Sequence, residues 1–449
     1  MWLSSQKVGE VSGKKQWTSY ILLLIKCLAN KDLGAERRST MSGLSITACF
    51  PFAGVKVVRQ VVHHDVGGCL IGLEPDRRFR PRCHACGKPA RTVHSAGHRR
   101  VLRDLPLADR QTWLEVDYRK VWCVDCGGVR VEQLSFCDAS RRITHRLARY
   151  IYDLCKMLTV EEVARHLDLD PKTVRAADHV FLKSEFGRTD VTGLRILAID
   201  EIALRKGRRG YMTVVLDYET GRVVWMGAGH DQGTLDRFFA EMSPQQKAGI
   251  QAVAMDMWEA FINRVRHHCP QAKIVFDLFH LVNAFGRVID EVRRAEYVRA
   301  DREGKQVIKG SRYLLLKNAD NLTEPQRGRL DELLELNTTL NAVYILKEQL
   351  REVYACTDRR QAKRLLDAWC EMADQIDHWQ VRRFIGRLRY FEYGILNHCD
   401  YPIGTSPLEG INNKIKLIKR KAYGYHDSDY FALKVKQAFP GKETSNFFG

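Results

Sequence analysis

The chain has 449 residues, 45% hydrophobic and 28% charged, which excludes both an intrinsically disordered polymer and a small disulfide-stapled scaffold and leaves room for about three domains. Lysine plus arginine exceed aspartate plus glutamate by 72 − 54 = 18 charges, so a polyanionic partner is expected, nucleic acid before a membrane surface. Thirteen cysteines, an odd number scattered along a long chain with two pairs at metal-ligand spacing, fit a reducing, cytoplasmic setting better than a disulfide framework.

Residues 1–40 are expected to be an extension of unknown role. Their apolar run, Tyr20 to Ile25, is far short of the roughly 20 residues that span a bilayer, and no small-residue cleavage site follows it. No membrane partner is expected. Residues 41–140 carry strand-like runs (VKVVRQVV, CLIGL, TWLEVDYRKVW) broken by Gly, Pro and cysteine pairs. Cys83-His84-Ala85-Cys86 and Cys123-Val124-Asp125-Cys126 are two C-x-x-C knuckles, each followed by glycine, Gly87 and Gly127. Two thiolates at this spacing chelate one side of a tetrahedral ion, and glycine permits the tight turn beneath. Four soft ligands with no open position predict one structural Zn²⁺ held by Cys83, Cys86, Cys123 and Cys126. His84, His94 and His98 are expected at the surface.

Residues 141–190 change to a helical period. Thr159 and Glu162 form a capping box, Asp168-Leu169 makes a turn, and Asp170 caps a second helix with Pro171 at its first position. This is a helix-turn-helix pattern, and Lys172, Thr173 and Arg175 at the start of its second helix are the residues expected to face a DNA groove, with Val174 packing inward.

From Gly193 the order is strand, strand, strand, helix, strand, helix, strand: Arg195 to Glu201, Tyr211 to Asp217, Val223 to Gly227, Thr234 to Met242, Gln251 to Asp256, EAFINRVRHH, and Lys273 to Asp277. That order matches a ribonuclease-H-like core, in which the first and fourth strands are neighbours and Asp200 and Asp256 meet. Residues 282–399 read as an all-helical insertion, with Val343, Leu346, Leu350 and Val353 at three- and four-residue steps. The chain then returns to the core over 400–449. There Ser406-Pro407-Leu408-Glu409 is itself a complete capping box, and Glu409 shares a helix face with Asn412, Asn413, Lys416 and Arg420. Asp200, Asp256 and Glu409 together would form an oxygen cage for two Mg²⁺ ions, while Asn413, Lys416, Lys419 and Arg420 would meet phosphates.

With its CHAC and CVDC knuckles, helix-turn-helix, AIDE, D-x-x-H and SPLEGINNKIKLIKRKAYGY, the chain resembles the bacterial insertion-sequence transposases of the ISL-three (ISL3) family from about Met41 to its C-terminus. The resemblance implies a DDE transposase with an all-helical insertion between the second and third acids. It puts the catalytic roles on Asp200, Asp256 and Glu409, and makes Asp277 and His280 a supporting D-x-x-H pair. Strand order favours Asp256 over Asp277 as the second ligand, and both stay open on the sequence. The expectation is a Mg²⁺-dependent multidomain α/β enzyme on the bacterial nucleoid. It would bind the terminal inverted repeats of its own element as a homodimer or larger assembly, cut their 3′ ends and join them to double-stranded target DNA. A non-catalytic DNA-binding regulator or inactive relic is the competing reading, and a nuclease that cuts without joining is a third.

Overall fold

The computed structural model describes residues 46–63, 67–108, 110–203, 210–403, 406–422, 424–425 and 427–441. The 1–40 extension and its apolar run lie outside these residues, as do the side chains of 46, 47, 279 and 406–409. Two compact units divide the chain, residues 1–147 and 148–449.

In the first unit, β1 (Val55–His63), β2 (Gly68–Pro75), β3 (Thr92–Leu107), β4 (Arg110–Cys123) and β5 (Gly128–Val131) form one sheet in the order β1-β2-β4-β3, with β5 on β4. Only β2 and β4 run parallel; the other pairs are antiparallel. Ile71, Leu73, Leu102, Leu114 and Val116 bury one face, and Phe52 stacks on Phe136 with ring centroids 4.2 Å apart. The polar face of β3 fits a half-solvated sheet.

α1 (His145–Leu154) leads into the second unit, which continues with α2 (Val160–Leu167) and α3 (Pro171–Phe186). The predicted capping box forms: Thr159 Oγ1 accepts from Glu162 N, and the Glu162 carboxylate accepts from Thr159 N. Asp168 closes α2 in the left-handed region at φ 54°, and Asp170 caps α3 through Lys172 N. Val163, Ala164, Leu167, Val174 and Ala177 bury the inner faces of this helix pair.

A second sheet follows, built from β6 (Ile196–Ala203), β7 (Tyr211–Asp217), β8 (Val223–Ala228), β9 (Ala252–Met255) and β10 (Lys273–Phe276) in the order β10-β9-β6-β7-β8. β6, β7 and β8 form an antiparallel meander; β9 joins β6 in parallel and β10 joins β9 in parallel. These parallel strands are continuous apolar runs because helices cover both faces. α4 (Gln232–Ala240), α5 (Pro244–Ala248) and α6 (Glu259–His268) connect them.

The helical region comprises α7 (Leu278–Arg299), α8 (Arg302–Ile308), α9 (Arg312–Leu316), α10 (Glu324–Leu336), α11 (Thr338–Ala355), α12 (Arg359–Asp374), α13 (Trp379–Tyr390) and α14 (Glu392–Leu396). Val343, Leu346, Leu350 and Val353 are buried as their spacing predicts. Trp369 is the hub: its ring meets Phe285 of α7 at 5.2 Å and Phe384 of α13 at 5.8 Å, and its Nε1–H donates to Leu346 O at 2.7 Å. α15 (Ser406–Lys421) and α16 (Ser428–Ala438) then cover the opposite face of the second sheet through Ile411, Ile415, Phe431 and Val435.

Candidate functional site

The two knuckles meet. Cys83 and Cys86 follow β2, Cys123 ends β4 and Cys126 sits in the turn to β5; their four sulfurs lie within 4.8 Å of one another. Cys83 Sγ is 3.9 Å from Cys126 Sγ and Cys86 Sγ is 3.6 Å from Cys123 Sγ. Zn–S bonds of about 2.3 Å in a tetrahedron give an S–S edge of about 3.8 Å, so the donor set fits zinc. Gly87 at φ 72° and Gly127 at φ 63° supply the left-handed turns that the spacing required. Burial would raise the Cys83 thiol, but the backbone N–H groups of Cys86 and Ala85 and the neighbouring sulfurs bring it down to about 7. Hydrogen bonding to Cys86 and Cys123 pushes Cys126 up to about 12. Four thiols this close cannot all ionise without a cation, and a dication removes the conflict. His84 and His94 are exposed and His98 bonds Ser95 Oγ at 2.8 Å; the cluster contains none of them.

At the start of α3, Lys172 is exposed and Thr173 partly so, while the Arg175 guanidinium sits 2.7 Å from Asp427 Oδ2 and over the Tyr430 ring at 4.9 Å. Asp178, one turn on, is fully buried; it accepts from Tyr430 O–H and lies 3.5 Å from Lys434 Nζ. The helix pair therefore rests on α16 through a polar cluster as well as apolar contacts.

The acids gather at one edge of the second sheet, past the ends of its parallel strands. Ala198 pairs with Ala254 in that register, so Asp200 and Asp256, each two residues further on, stand at one level. Phe276 pairs with Met255, which sets Asp277 beside Asp256. Successive residues of β6 face opposite sides. Leu197 and Ile199 pack toward α4, α6 and the helical region, whereas Ala198 and Ile202 pack toward α15 and α16. Asp200 shares the second face and Glu201 the first. Asp200 Oδ1 accepts from Glu201 N at 2.7 Å, and Asp200 Oδ2 accepts from the Asn412 side-chain amide of α15.

His280, in the first turn of α7, bridges two acids: Nδ1 is 2.8 Å from Asp256 Oδ1 and Nε2 is 3.8 Å from Asp277 Oδ2. Burial opposes the charged ring, but the Asp256 bond and the charges of Asp256, Asp277 and Asp200 outweigh it and raise the His280 pKa. Burial and the nearby Asp256 charge push the Asp200 carboxyl up against the pull of its two hydrogen bonds. Burial, then the charges of Asp200 and Asp256, push Glu201 up to about 7. Negative charge is crowded here, and His280 with Arg287 and Arg387 offsets part of it. A cavity of about 170 Å³ opens on this edge, lined by Glu201, Asp256, Met257, Trp258, His280, Ala284, Arg287 and Arg387. Glu201 and Asp256 offer this pocket the oxygen donors that hard divalent cations take, whereas among the described residues three or more ligand atoms converge only at the four cysteines.

Residues 197–435 match a family model described as a transposase, of the ISL3 DDE type, and residues 132–179 match the helix-turn-helix domain of transposase family ISL3. A transposase for insertion sequence element IS1001 from Bordetella parapertussis is 42% identical over 392 residues, spanning 86% of this chain and 96% of that protein. The chain belongs to the ISL3 family of insertion-sequence transposases. A transposase for element IS1557 from Mycobacterium tuberculosis is 25% identical over 417 residues, 88% of this chain and 90% of that one. The two domains of this ISL3 transposase imply DNA as its partner and divalent metal for its chemistry. No helix among the described residues is long and apolar enough to cross a membrane.

Of the residues singled out in the transposase sequence, Asp200, Asp256, Asp277 and His280 come together. Glu409 lies in α15, three positions before Asn412, and its side chain is outside the described atoms. Asn413, Lys416 and Arg420 are exposed on that helix, and Lys419 donates to Ala203 O at 3.0 Å. Sequence reasoning passed over Glu201, although it stands next to Asp200 in the AIDE run, and put Asn412 only on the shared helix face. It had no signal for Arg287 and Arg387, which reach the pocket through long-range helix packing.

Proposed function

We propose that this protein binds the terminal inverted repeats of its own insertion sequence, cleaves their 3′ ends and joins them to target DNA, with Asp200, Asp256 and Glu409 as the catalytic acids of a ribonuclease-H-like core. The reading rests on one observation above the others: Asp200 and Asp256 lie level on adjacent parallel strands, and Asn412, one helical turn beyond Glu409, bonds Asp200. Residues three apart on a helix share a face, so position 409 lies on the same side of α15 as Asn412. The sheet order β10-β9-β6-β7-β8 supports the ribonuclease-H-like assignment.

Asp200, Asp256 and Glu409 would hold two Mg²⁺ ions. When bound, these supply Lewis-acid activation of an attacking water or 3′-hydroxyl and charge stabilisation at the leaving oxygen. The chain's own residues prepare the site. The Asn412 amide and the Glu201 N–H fix the orientation of Asp200, and His280 fixes Asp256 against Asp277. Asp256 is proposed as the second ligand because its side chain opens into the pocket, whereas Asp277 is nearly covered and serves His280. No Ser or Tyr nucleophile is required, so no covalent protein–DNA intermediate forms.

The division of labour follows the sequence boundaries: 41–140 holds one structural Zn²⁺, 141–190 reads DNA through Lys172, Thr173 and Arg175, 191–281 with 400–449 is catalytic, and 282–399 is the insertion. Asn413, Lys416, Lys419 and Arg420 contact phosphates. Two ends must be held together, which calls for at least a dimer, acting on DNA in the bacterial cytoplasm.

Cleavage of DNA carrying the gene's own flanking sequences tests this, with wild type and Glu409→Gln compared in Mg²⁺ and in EDTA. Cutting by wild type alone and only in Mg²⁺ is expected. Equal cutting by the variant would reduce Glu409 to a helix cap. Tight binding with no cutting by either protein would favour the regulator or relic.

A further inference from the structure

α7 and α13 are rich in arginine, and most of it is neutralised locally. On α7, Arg293 and Arg294 pair with Asp290 at 2.8 and 2.9 Å, and Arg299 pairs with Glu296 at 3.4 Å. On α13, Arg382 pairs with Asp377 at 3.0 Å, and Arg389 pairs with Asp367 and Glu392. Arg287, Arg383 and Arg387 are different. All three are exposed, and among the described residues none has a carboxylate within ion-pair distance.

They are also neighbours. Arg383 and Arg387 are four apart on one face of α13, about 5–6 Å at Cβ, a repulsive spacing for like charges. Arg287 and Arg383 are among the charges that act most strongly on Arg387, and Asp256 is another. Arg287 and Arg387 line the acid pocket itself. Their backbones are held by the aromatic hub: Phe285, two residues before Arg287, meets Phe384, between Arg383 and Arg387, at 5.0 Å. A row of unneutralised cations, fixed on a rigid core and ending at a cluster of carboxylates, is a site for a polyanion.

We propose that Arg287, Arg383 and Arg387 form a phosphodiester clamp through which the helical insertion holds the scissile strand of DNA over the catalytic acids. Arg387 and Arg287 grip the phosphates at the cut and beside it, and Arg383 grips the next one outward. This rests on the proposed function of the same site. It gives the insertion a task within the active site: the carboxylates themselves repel phosphate, and the arginines add cationic contacts to the strand besides those that metal would supply.

The test reads binding alone. Affinity for element-end DNA is measured in Ca²⁺ by anisotropy over a salt series, for wild type and for Arg287→Gln/Arg383→Gln/Arg387→Gln. Each protein is given an unmodified end and an end with a single neutral methylphosphonate at the scissile linkage. Arg382→Gln, on the same helix but paired with Asp377, is the control. In wild type the neutral linkage should weaken binding about tenfold. The triple variant should bind the unmodified end more weakly, lose most of its sensitivity to the neutral linkage, and lose about 2–3 from its salt slope. The control should match wild type. The substituted positions are exposed, and an unchanged melting temperature verifies the fold. Equal sensitivity of triple variant and wild type to the neutral linkage would overturn the clamp, as would an unchanged salt slope. Neither result depends on cutting, so a protein that fails this test but cleaves in Mg²⁺ keeps its proposed function, and one that passes it without cleaving does not.

Discussion

The protein gathers four sulfurs in one place and a cluster of carboxylates in another, and the two groups are built on opposite plans. The four cysteines come from two turns that glycine allows, lie at nearly tetrahedral spacing and leave no position for a substrate. Asp200 and Asp256 stand level on neighbouring strands, Asn412 bonds Asp200, His280 bonds Asp256, and Asp256 lines an open cavity. A closed set contributes its binding energy to folding, and an open one keeps it for chemistry. The difference teaches where damage should appear: loss of a sulfur ligand should cost structure, and loss of an oxygen ligand should cost rate.

The largest expected effect is therefore Cys123→Ser. Structural zinc in small modules contributes about 10–16 kcal/mol, so this substitution, or chelation of the wild type, should abolish amide-exchange protection in β2 and β4 while protection in β6 and β9 persists. Equal protection with and without metal would remove the contrast. Next comes Asp256→Asn, for which cleavage of element-end DNA should fall by about three orders of magnitude, about 4 kcal/mol of transition-state stabilisation. It should lose little thermal stability, since relief of repulsion among the crowded carboxylates offsets the weakened bond to His280. A large drop in melting temperature would mean that the acid edge is also a folding element.

Asn412→Ala sharpens the oxygen side further. It removes an orienting amide and no ligand, so cleavage should slow by about 10–100-fold with binding to DNA unchanged; a rate equal to wild type would show that Asp200 needs no guide. The smallest effect belongs to Lys172→Ala, which should weaken end binding modestly and lower its salt slope by about 1. An unchanged slope would take Lys172 off the phosphate backbone.

Legibility in the sequence follows the same divide. The knuckles were readable because ligand spacing and glycine lie within a few residues. The runs that became β6, β7, β9 and β10 were readable because strands covered on both faces are unbroken apolar stretches. The Thr159–Glu162 box and the Asp168 turn were local too. β3 was passed over: Arg, His and Asp interrupt the aliphatic residues of Thr92–Leu107, and its pairing to β4 has three irregularities, so its alternation is broken. The pairing of Asp200 with Asn412, the bond of His280 to Asp256 and the approach of Arg287 and Arg387 depend on packing between elements about 25–210 positions apart in the chain, which no local pattern encodes. Arg175 shows a related gap, since nothing near it in sequence announces its pairing with Asp427.

The most direct test of the central claim is strand transfer. Element-end DNA already cut to expose its 3′-hydroxyl is incubated with supercoiled target in Mg²⁺, using wild type, Asp200→Asn and Asp256→Asn. The account predicts joined products with wild type and none with either variant. Wild-type protein that cuts intact ends but never joins precut ones would contradict it and make this chain a nuclease.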